Sequence, residues 1–338
     1  MTARLMQHSC VLVRALSVLL PLSLAAAFAA ASAWAQSWPE RPVTMVIPFA
    51  AGGAVDVMGR ILAPRLGEVL GQRVIIENVA GAGGMSGAYR VAKANPDGYE
   101  LVLGSVGTHA HSQSLYKKPL YNAVTDFAPV ALIAELPLVL VARKDLPADN
   151  LREFITYAKA NQAKMQFGSA GAGSADHLTC LLLNSAIGVN ITHVPYRGGQ
   201  PAMQDLIGGR IDYVCNIITT VLPQVQAGLI KAITITTKQR SPLLPDLPTA
   251  QEQGVAGFDA YTWDALFLPN RTPEPIVRRL NAAVNETLNT PIVQQRLSEI
   301  GANVVSQERR TPEYLGKFVA SEIAKWAGPI KASGVTIE

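Results

Sequence analysis

The stretch "IPFAAGGAVD", residues 47–56, decides the reading of this chain. An apolar run, Val43–Phe49, stops at two small residues and two glycines, and a lone carboxylate, Asp56, follows three residues after the second glycine. A helical pattern then begins, Val55–Leu70, with Met58, Ile61, Leu62, Leu66 and Leu70 on one side. A strand that ends on bare backbone and runs into a helix leaves unpaired N–H groups at the helix start, with a partial positive charge. Glycine lets a guest approach that backbone closely. Asp56 either caps those N–H groups or accepts a hydrogen bond from a ligand amine or a water.

The same form recurs three times, in "GSVGTHAH" (104–111), "GSAGAGSADH" (168–177) and "PYRGGQPA" (195–202). Any one of these is explained by a tight turn. Four in one chain suit a carboxylate or another small oxyanion.

Around these loops, apolar strands alternate with amphipathic helices, which argues for a parallel α/β architecture. Strands are expected at Val43–Phe49, Val74–Asn78, Leu101–Gly104, Val130–Ala134, Leu138–Ala142, Gln166–Gly168, Thr192–Val194, Tyr213–Ile217 and Ala232–Thr236. Helices are expected at Leu151–Asn161 after an N-cap signal "PADN", at Pro201–Gly208, and in a tail of three proline-started segments from Pro275 to Ser333. Leu138–Pro147 and Thr237–Thr262 read as crossings between two lobes: residues 36–142 with 259–338, and residues 143–258. Ligands of such sheets bind in the cleft at the carboxyl ends of the strands.

The first 35 residues read as an export signal. Arg4 and Arg14 form the positive region, Leu16–Ala31 the apolar one, and "AWA" (33–35) a processing site, so cleavage is expected near Ala35 and the mature chain is expected to be soluble and exported, which the resemblance given below narrows to the periplasm. These 35 residues hold no acid, so their removal from the 338 leaves 303 residues and lowers the net charge from +4 to +2. That near-neutral charge gives no case for a nucleic-acid partner. Of the three cysteines, Cys10 leaves with the signal; the apolar surroundings of Cys180 and Cys215 suggest two buried free thiols, although the compartment permits a bridge.

Familiar chemistries fit poorly. The glycines of "GAGGMSG" (81–87) miss the last position of a dinucleotide fingerprint, and "GSAGAGS" lacks the lysine of a P-loop. Neither Ser169 nor Ser174 stands in a nucleophile elbow. His109 and His111 alone are too few to hold a metal. No cofactor, no metal and no enzymatic activity are expected.

The residues of these loops carry a resemblance. The stretches "WPERPVTMVIPFAAGGAVDVMGRILAPRL", "VIIENVAGAGGMSGAYRVAKANPDGYELVLGS", "LYKKPLYNAVTDFAPVALI", "FGSAGAGSADHL", "HVPYRGGQPAMQDLIGGRIDYV" and "TPEPIVRRLNAAVNETL" occur in order over nearly all of the mature chain. With them the chain resembles the Bug-type solute receptors of tripartite tricarboxylate transporters. The resemblance implies a two-lobed α/β periplasmic-binding-protein fold of type II that closes on a small carboxylate-bearing ligand: a dicarboxylate, an amino acid or an aromatic acid. It also implies delivery of the ligand to membrane permease subunits. A sensor presenting the ligand to a membrane signalling kinase is the alternative. Nothing demands an oligomer, so a monomer is expected.

Carried over residue by residue, the first-lobe contacts would be Phe49, Ala50, Gly52, Gly53 and Asp56, with Ser105, Thr108 and His109 from the second glycine loop. The second lobe would offer Ser169, Ala170, Gly171, Gly173, Ser174 and His177, with Tyr196 and Arg197 beside them. Arg197 reads equally as a solvated surface arginine. Ligand identity would lie with Asn216, where family members often carry an acid or another pocket residue, and with Asp264, where a neutral or aromatic residue is expected. If Asp264 faces the cleft, it repels a bare polycarboxylate and favours an amino acid, an amide or a ring nitrogen; otherwise it is a surface or hinge acid.

Overall fold

The computed structural model describes residues 38–337, so the export signal and its processing point lie outside the described residues. Strand β1 (Val43–Ile47) lies between β2 (Val74–Asn78) and β3 (Glu100–Ser105), parallel to both, and is buried at every position but Thr44. A strand covered on both faces is apolar throughout, which is why this run announces itself in the sequence. Helix α1 (Ala54–Leu70) buries Met58, Leu62, Leu66 and Leu70, a stripe spaced by four, and ends at Gly71 in the left-handed conformation. After α2 (Met85–Ala92) and β3, a π-turn over Gly107–His111 runs into α3 (Ser112–Leu115).

The next strand organises the molecule. β4 (Phe127–Arg143) is one strand of 17 residues, where the sequence suggested two short ones. From Phe127 to Pro137 it pairs with β9 (Tyr261–Pro269); from Leu138 to Ala142 it pairs with β7 (Tyr213–Ile217). Its other edge takes β10 (Asn303–Val304) in the first stretch and β8 (Ile230–Ile235) in the second. The sheet therefore has two halves that share β4, with the order β2-β1-β3-β9-β4-β7-β5-β6, where β5 is Gln166–Ser169 and β6 Thr192–Pro195. Pro137 stands at the exchange of partners, where a missing N–H is cheapest.

The expectation of a parallel sheet needs correction. β9 runs antiparallel to β3 and β4, and β4 runs antiparallel to β7 and β8, so the sheet is mixed. Apolar runs do not encode strand direction. β9 starts inside Thr237–Thr262, which the sequence presents as a loop-like crossing, yet every residue from Thr262 to Pro269 is buried.

The second half carries α4 (Leu151–Asn161), α5 (Ala175–Ile187), α6 (Gly199–Ile207) and α7 (Ile218–Gln226). Asn150 caps α4, its side chain accepting from the Glu153 N–H at 3.0 Å, as the sequence signal suggested. Val139, Val141, Met203, Leu206, Val214 and Ile218 form the centre of a core between β4, β7, α6 and α7. The chain then returns through β9 to the first half, which α8 (Glu274–Leu288), α9 (Pro291–Glu299) and α10 (Pro312–Ala332) complete.

Cys180 on α5 and Cys215 on β7 form a disulfide, their Cα atoms 5.3 Å apart. This overturns the reading of two free thiols. A buried disulfide has the same apolar surroundings as a buried thiol, so composition could not separate them; only the packing of α5 on β7 does.

Candidate functional site

Asp56 staples the loop that precedes it. One carboxylate oxygen accepts the Gly52 N–H at 2.9 Å and the Arg60 Nε at 2.8 Å, and the other accepts Asn78 Nδ2 at 2.9 Å. Burial pushes this carboxyl up, but the hydrogen bonds from Arg60, Gly52 and Asn78 outweigh it and hold the group below its usual range. Gly52 takes a φ of 79°, the left-handed conformation that the tight turn requires. Asn78 also donates to the Phe49 carbonyl at 3.0 Å, so β2 fixes both ends of the loop.

With the loop held this way, the N-terminus of α1 points at a cavity. Its wall includes Phe49, Gly53, Ala54 and Val55, the last three being the cap and first two residues of that helix. Ser174, Ala175 and Asp176 occupy the same positions on α5. Gly199 opens α6, and Ile217 and Thr220 are the cap and third residue of α7. Four helix N-termini, of helices 9 to 17 residues long, thus converge on one space. No side chain caps α1, α6 or α7. Ser105, Ala170, Asn216 and Thr262 complete the wall, which contains no lysine, arginine or histidine.

The void between the atoms is about 390 Å³, and the centre of a water molecule can range over about 30 Å³ of it. Three polar atoms of its wall have no partner: Asp176 Oδ2, Thr220 Oγ1 and Thr262 Oγ1. Burial raises the Asp176 carboxyl to about 7, despite backbone hydrogen bonds from Ala170 and its own N–H. A larger open groove, about 1480 Å³ by the same measure as the 390 Å³, runs between α1 and β2, lined by Arg60, Pro64, Gly67, Arg73 and Ile75. It lies at the far end of α1 and has no convergent N–H groups, so we assign the site to the smaller, enclosed cavity.

Of the residues singled out from sequence, Phe49, Gly53, Ser105, Ala170, Ser174 and Asn216 stand in the cavity wall. The others lie outside the wall. Ala50 donates its N–H to the Arg197 carbonyl at 3.1 Å, joining the first loop to the fourth, and the Arg197 side chain is exposed. Thr108 Oγ1 accepts the Ser105 N–H at 2.8 Å and lies 2.8 Å from His109 Nδ1. His109 is fully buried and stacks on Phe267 with ring centroids 3.8 Å apart, so it belongs to the core; burial lowers it to about 3.

His177 Nδ1 accepts the Gly173 N–H at 3.2 Å, and its ring stacks on His193 at 4.0 Å. Tyr196 donates to Asp205 at 2.7 Å. Gly171, with a φ of 121°, packs against Gly83 of the loop before α2. Asp264 is fully buried but is not among the wall residues. Trp263, its neighbour, donates instead to Glu322 at 3.0 Å on the opposite face of β9.

One pair was not visible in the sequence. Ser169 Oγ lies 2.7 Å from His193 Nε2, within the reach of a nucleophile and its base. Ser169 is fully buried, accepts the Gly171 N–H at 3.1 Å and is not in the cavity wall. The pair ties the end of β5 to β6. Among the described residues, no group of three or more His, Cys, Asp or Glu side chains is placed to hold a metal ion.

Residues 58–335 match the model of the tripartite tricarboxylate transporter family receptor. The chain belongs to this family. Among solved structures, the receptor is similar to the periplasmic binding protein BugD, with 40% identity and a TM-score of 0.86, over 89% of this chain and all of that one. It is similar to MatC from Rhodopseudomonas palustris with bound malate, with 42% identity and a TM-score of 0.84, over 87% of this chain and all of that one. It is also similar to Rpa4515 of R. palustris with adipate, with 36% identity and a TM-score of 0.84, over 88% of this chain and 99% of that one. The receptor therefore has the two-lobed α/β fold of periplasmic binding proteins, and its family consists of receptors rather than enzymes.

Residues that the sequence reading missed are Thr220, Thr262, Ala54, Val55, Ala175, Asp176, Gly199 and Ile217. The first two carry no motif. A signal for Ile217 and Thr220 existed in "NIITTV", a strand end running into hydroxyl residues, but without glycine it did not look like the other four loops.

Proposed function

We propose that the protein is a periplasmic receptor that captures a small carboxylate-bearing molecule between its lobes and hands it to the permease subunits of a tripartite tricarboxylate-type transporter. The convergence of four helix N-termini on one small cavity whose wall holds no lysine or arginine carries this reading. Each N-terminus offers unpaired N–H groups and a partial positive charge, and together they stabilise an oxyanion without a lysine or arginine. The malate and adipate held by two relatives support a carboxylate as the guest. The family match favours a transporter over a signalling kinase as the partner.

In this reading the lobes are residues 36–142 with 259–338, and residues 143–258; the exchange of partners along β4 near Pro137 supports a crossing there. The cavity is so tight that a guest of several heavy atoms enters only if the loops part. Capture is then closure: the ligand binds the closed arrangement better than the open one and shifts the population toward it. Phe49, Gly53, Ser105, Ala170, Ser174 and Asn216 contact the ligand. Asp56, Thr108 and His177, with Gly52, Gly171 and Gly173, hold the loops in position.

Isothermal titration against malate, adipate, amino acids and aromatic carboxylates tests the proposal. A saturable one-to-one heat with at least one of them is expected; no binding by any carboxylate at millimolar concentration overturns it.

A further inference from the structure

Two carboxyl groups sit at the cavity without a counter-charge. Asp176 is in its wall, 2% exposed, with Oδ2 unpartnered. Asp264 is fully buried at the middle of β9, and neither of its oxygens has a partner. The register sets Asp264 directly opposite Ser105 of β3, so the two side chains share a face of the sheet. Thr262, two residues away on β9, shares it too. Ser105 and Thr262 both stand in the cavity wall, which puts the Asp264 carboxyl immediately behind that wall. Helix α5, which carries Asp176, also packs on β9.

An acid in the first turn of a helix is ordinary, because the helix dipole favours it. Such an acid sits at the surface with its oxygens in water. Asp176 does not, and Asp264 has no helix to complement. Burying a carboxyl with open hydrogen-bonding capacity is costly, and a fold that keeps two of them beside one cavity leaves their partner to come from elsewhere. The cavity wall supplies no cation. The nearby histidines, His109, His111 and His177, are each lowered to about 3 by burial and stay neutral.

We propose that the guest carries an ammonium or amide N–H besides its carboxylate, and that Asp176 accepts from it directly while Asp264 adds its charge from behind the wall. The two acids are then specificity-determining residues that select amino-acid-like guests. A bare dicarboxylate would bring a second negative group against them, and discrimination by repulsion is as effective as discrimination by attraction. The unpartnered hydroxyls of Thr220 and Thr262 serve either end of such a guest.

This inference rests on the carboxylate-receptor reading, and its test separates the two. Titration calorimetry with the mature protein compares matched pairs: L-alanine with propionate, L-glutamate with glutarate, and 4-aminobutyrate with butyrate. Malate and adipate are run alongside. The amino member of at least one pair is expected to bind about tenfold or more tighter than its partner, the worth of one hydrogen bond to a charged group. Asp176→Asn should bring that ratio toward unity, and Asp264→Asn should lower it in the same direction by less; melting curves establish that each variant is folded, and either variant alone suffices. The proposal is overturned if no amino member exceeds its partner in the wild-type protein, or if a folded variant leaves the ratio unchanged. If malate or adipate binds and no amino member does, it falls while the receptor reading stands. If no carboxylate binds, both fall.

Discussion

Gly83 and Ala172 approach so closely that a Cβ on Gly83 would lie 1.9 Å from the Ala172 carbonyl oxygen. Gly83 stands in the turn between β2 and α2 and Ala172 in the loop between β5 and α5, so in the two-lobed arrangement proposed above this contact joins the lobes. The Tyr116 hydroxyl lies 3.1 Å from the same Ala172 carbonyl and 3.3 Å from that of Ala82. Gly83 also takes a φ of 61°, which an L side chain rarely adopts.

Gly83→Ala is therefore expected to oppose closure more than folding. The clash is with backbone, so it is relieved only by moving the loops apart. Ligand affinity should fall about tenfold or more, and the melting temperature should fall modestly as well, because an alanine at a φ of 61° is strained whether the loops meet or part. Calorimetry and a melting curve on the same sample check this. An unchanged Kd would mean that the contact plays no part in closure.

Asp56 and Arg60 should differ sharply as sites of mutation, although they form one ion pair. Asp56 is buried and its carboxylate accepts three hydrogen bonds; Arg60 is 56% exposed. Asp56→Ala leaves the Gly52 N–H and the Asn78 amide without their acceptor and should cost about 1–3 kcal/mol. Arg60→Ala loses a solvent-screened pair and should cost under about 1 kcal/mol. Denaturant unfolding of both variants tests the ranking.

The Cys180–Cys215 disulfide closes a loop with a sequence separation of 35. Replacing both cysteines with alanine should cost about 2–4 kcal/mol by freeing the unfolded chain. The denaturation midpoint of the wild-type protein should also fall on adding reductant. A midpoint indifferent to reductant, with two titratable thiols in the unfolded protein, would contradict the bridge.

Stability should fall as pH drops from about 6.5 to about 4. His109, His111 and His177 are lowered by burial to about 3 and His193 to about 4, so the unfolded chain binds protons there that the folded chain refuses. Asp176 and Asp264 act oppositely: burial raises both to about 7, so the folded chain holds their protons longer. The four histidines outweigh the two acids, and unfolding near pH 5 takes up roughly two protons. Melting temperatures measured across this range check the sign; Asp264→Asn, which removes one opposing group, should steepen the fall.

Much of this was legible in the residues. Val43–Ile47 and α1 announced themselves because a doubly covered strand is continuously apolar and a one-sided helix repeats its apolar stripe. The glycine loops were recognisable because their shape depends on backbone that side chains would obstruct. Strand direction, the single span of β4 and the existence of β9 were not, since apolar runs look alike whichever way they pair. The site was legible as loops and not as contacts. Gly53 and Ser174 reach the cavity while Asp56 and His177, a few residues on, turn back to brace the loops. That difference is one of side-chain direction, which depends on neighbours such as Asn78 that come from distant parts of the chain.

The central claim is that backbone amides from both lobes hold one carboxylate. A crystal structure of the protein with its tightest-binding carboxylate tests it most directly. The account predicts carboxylate oxygens within about 2.7–3.2 Å of main-chain N–H groups in the first turns of α1 and at least one of α5, α6 and α7. A carboxylate bound outside this cavity, or held there by an arginine or lysine side chain while the helix starts stay empty, would contradict it.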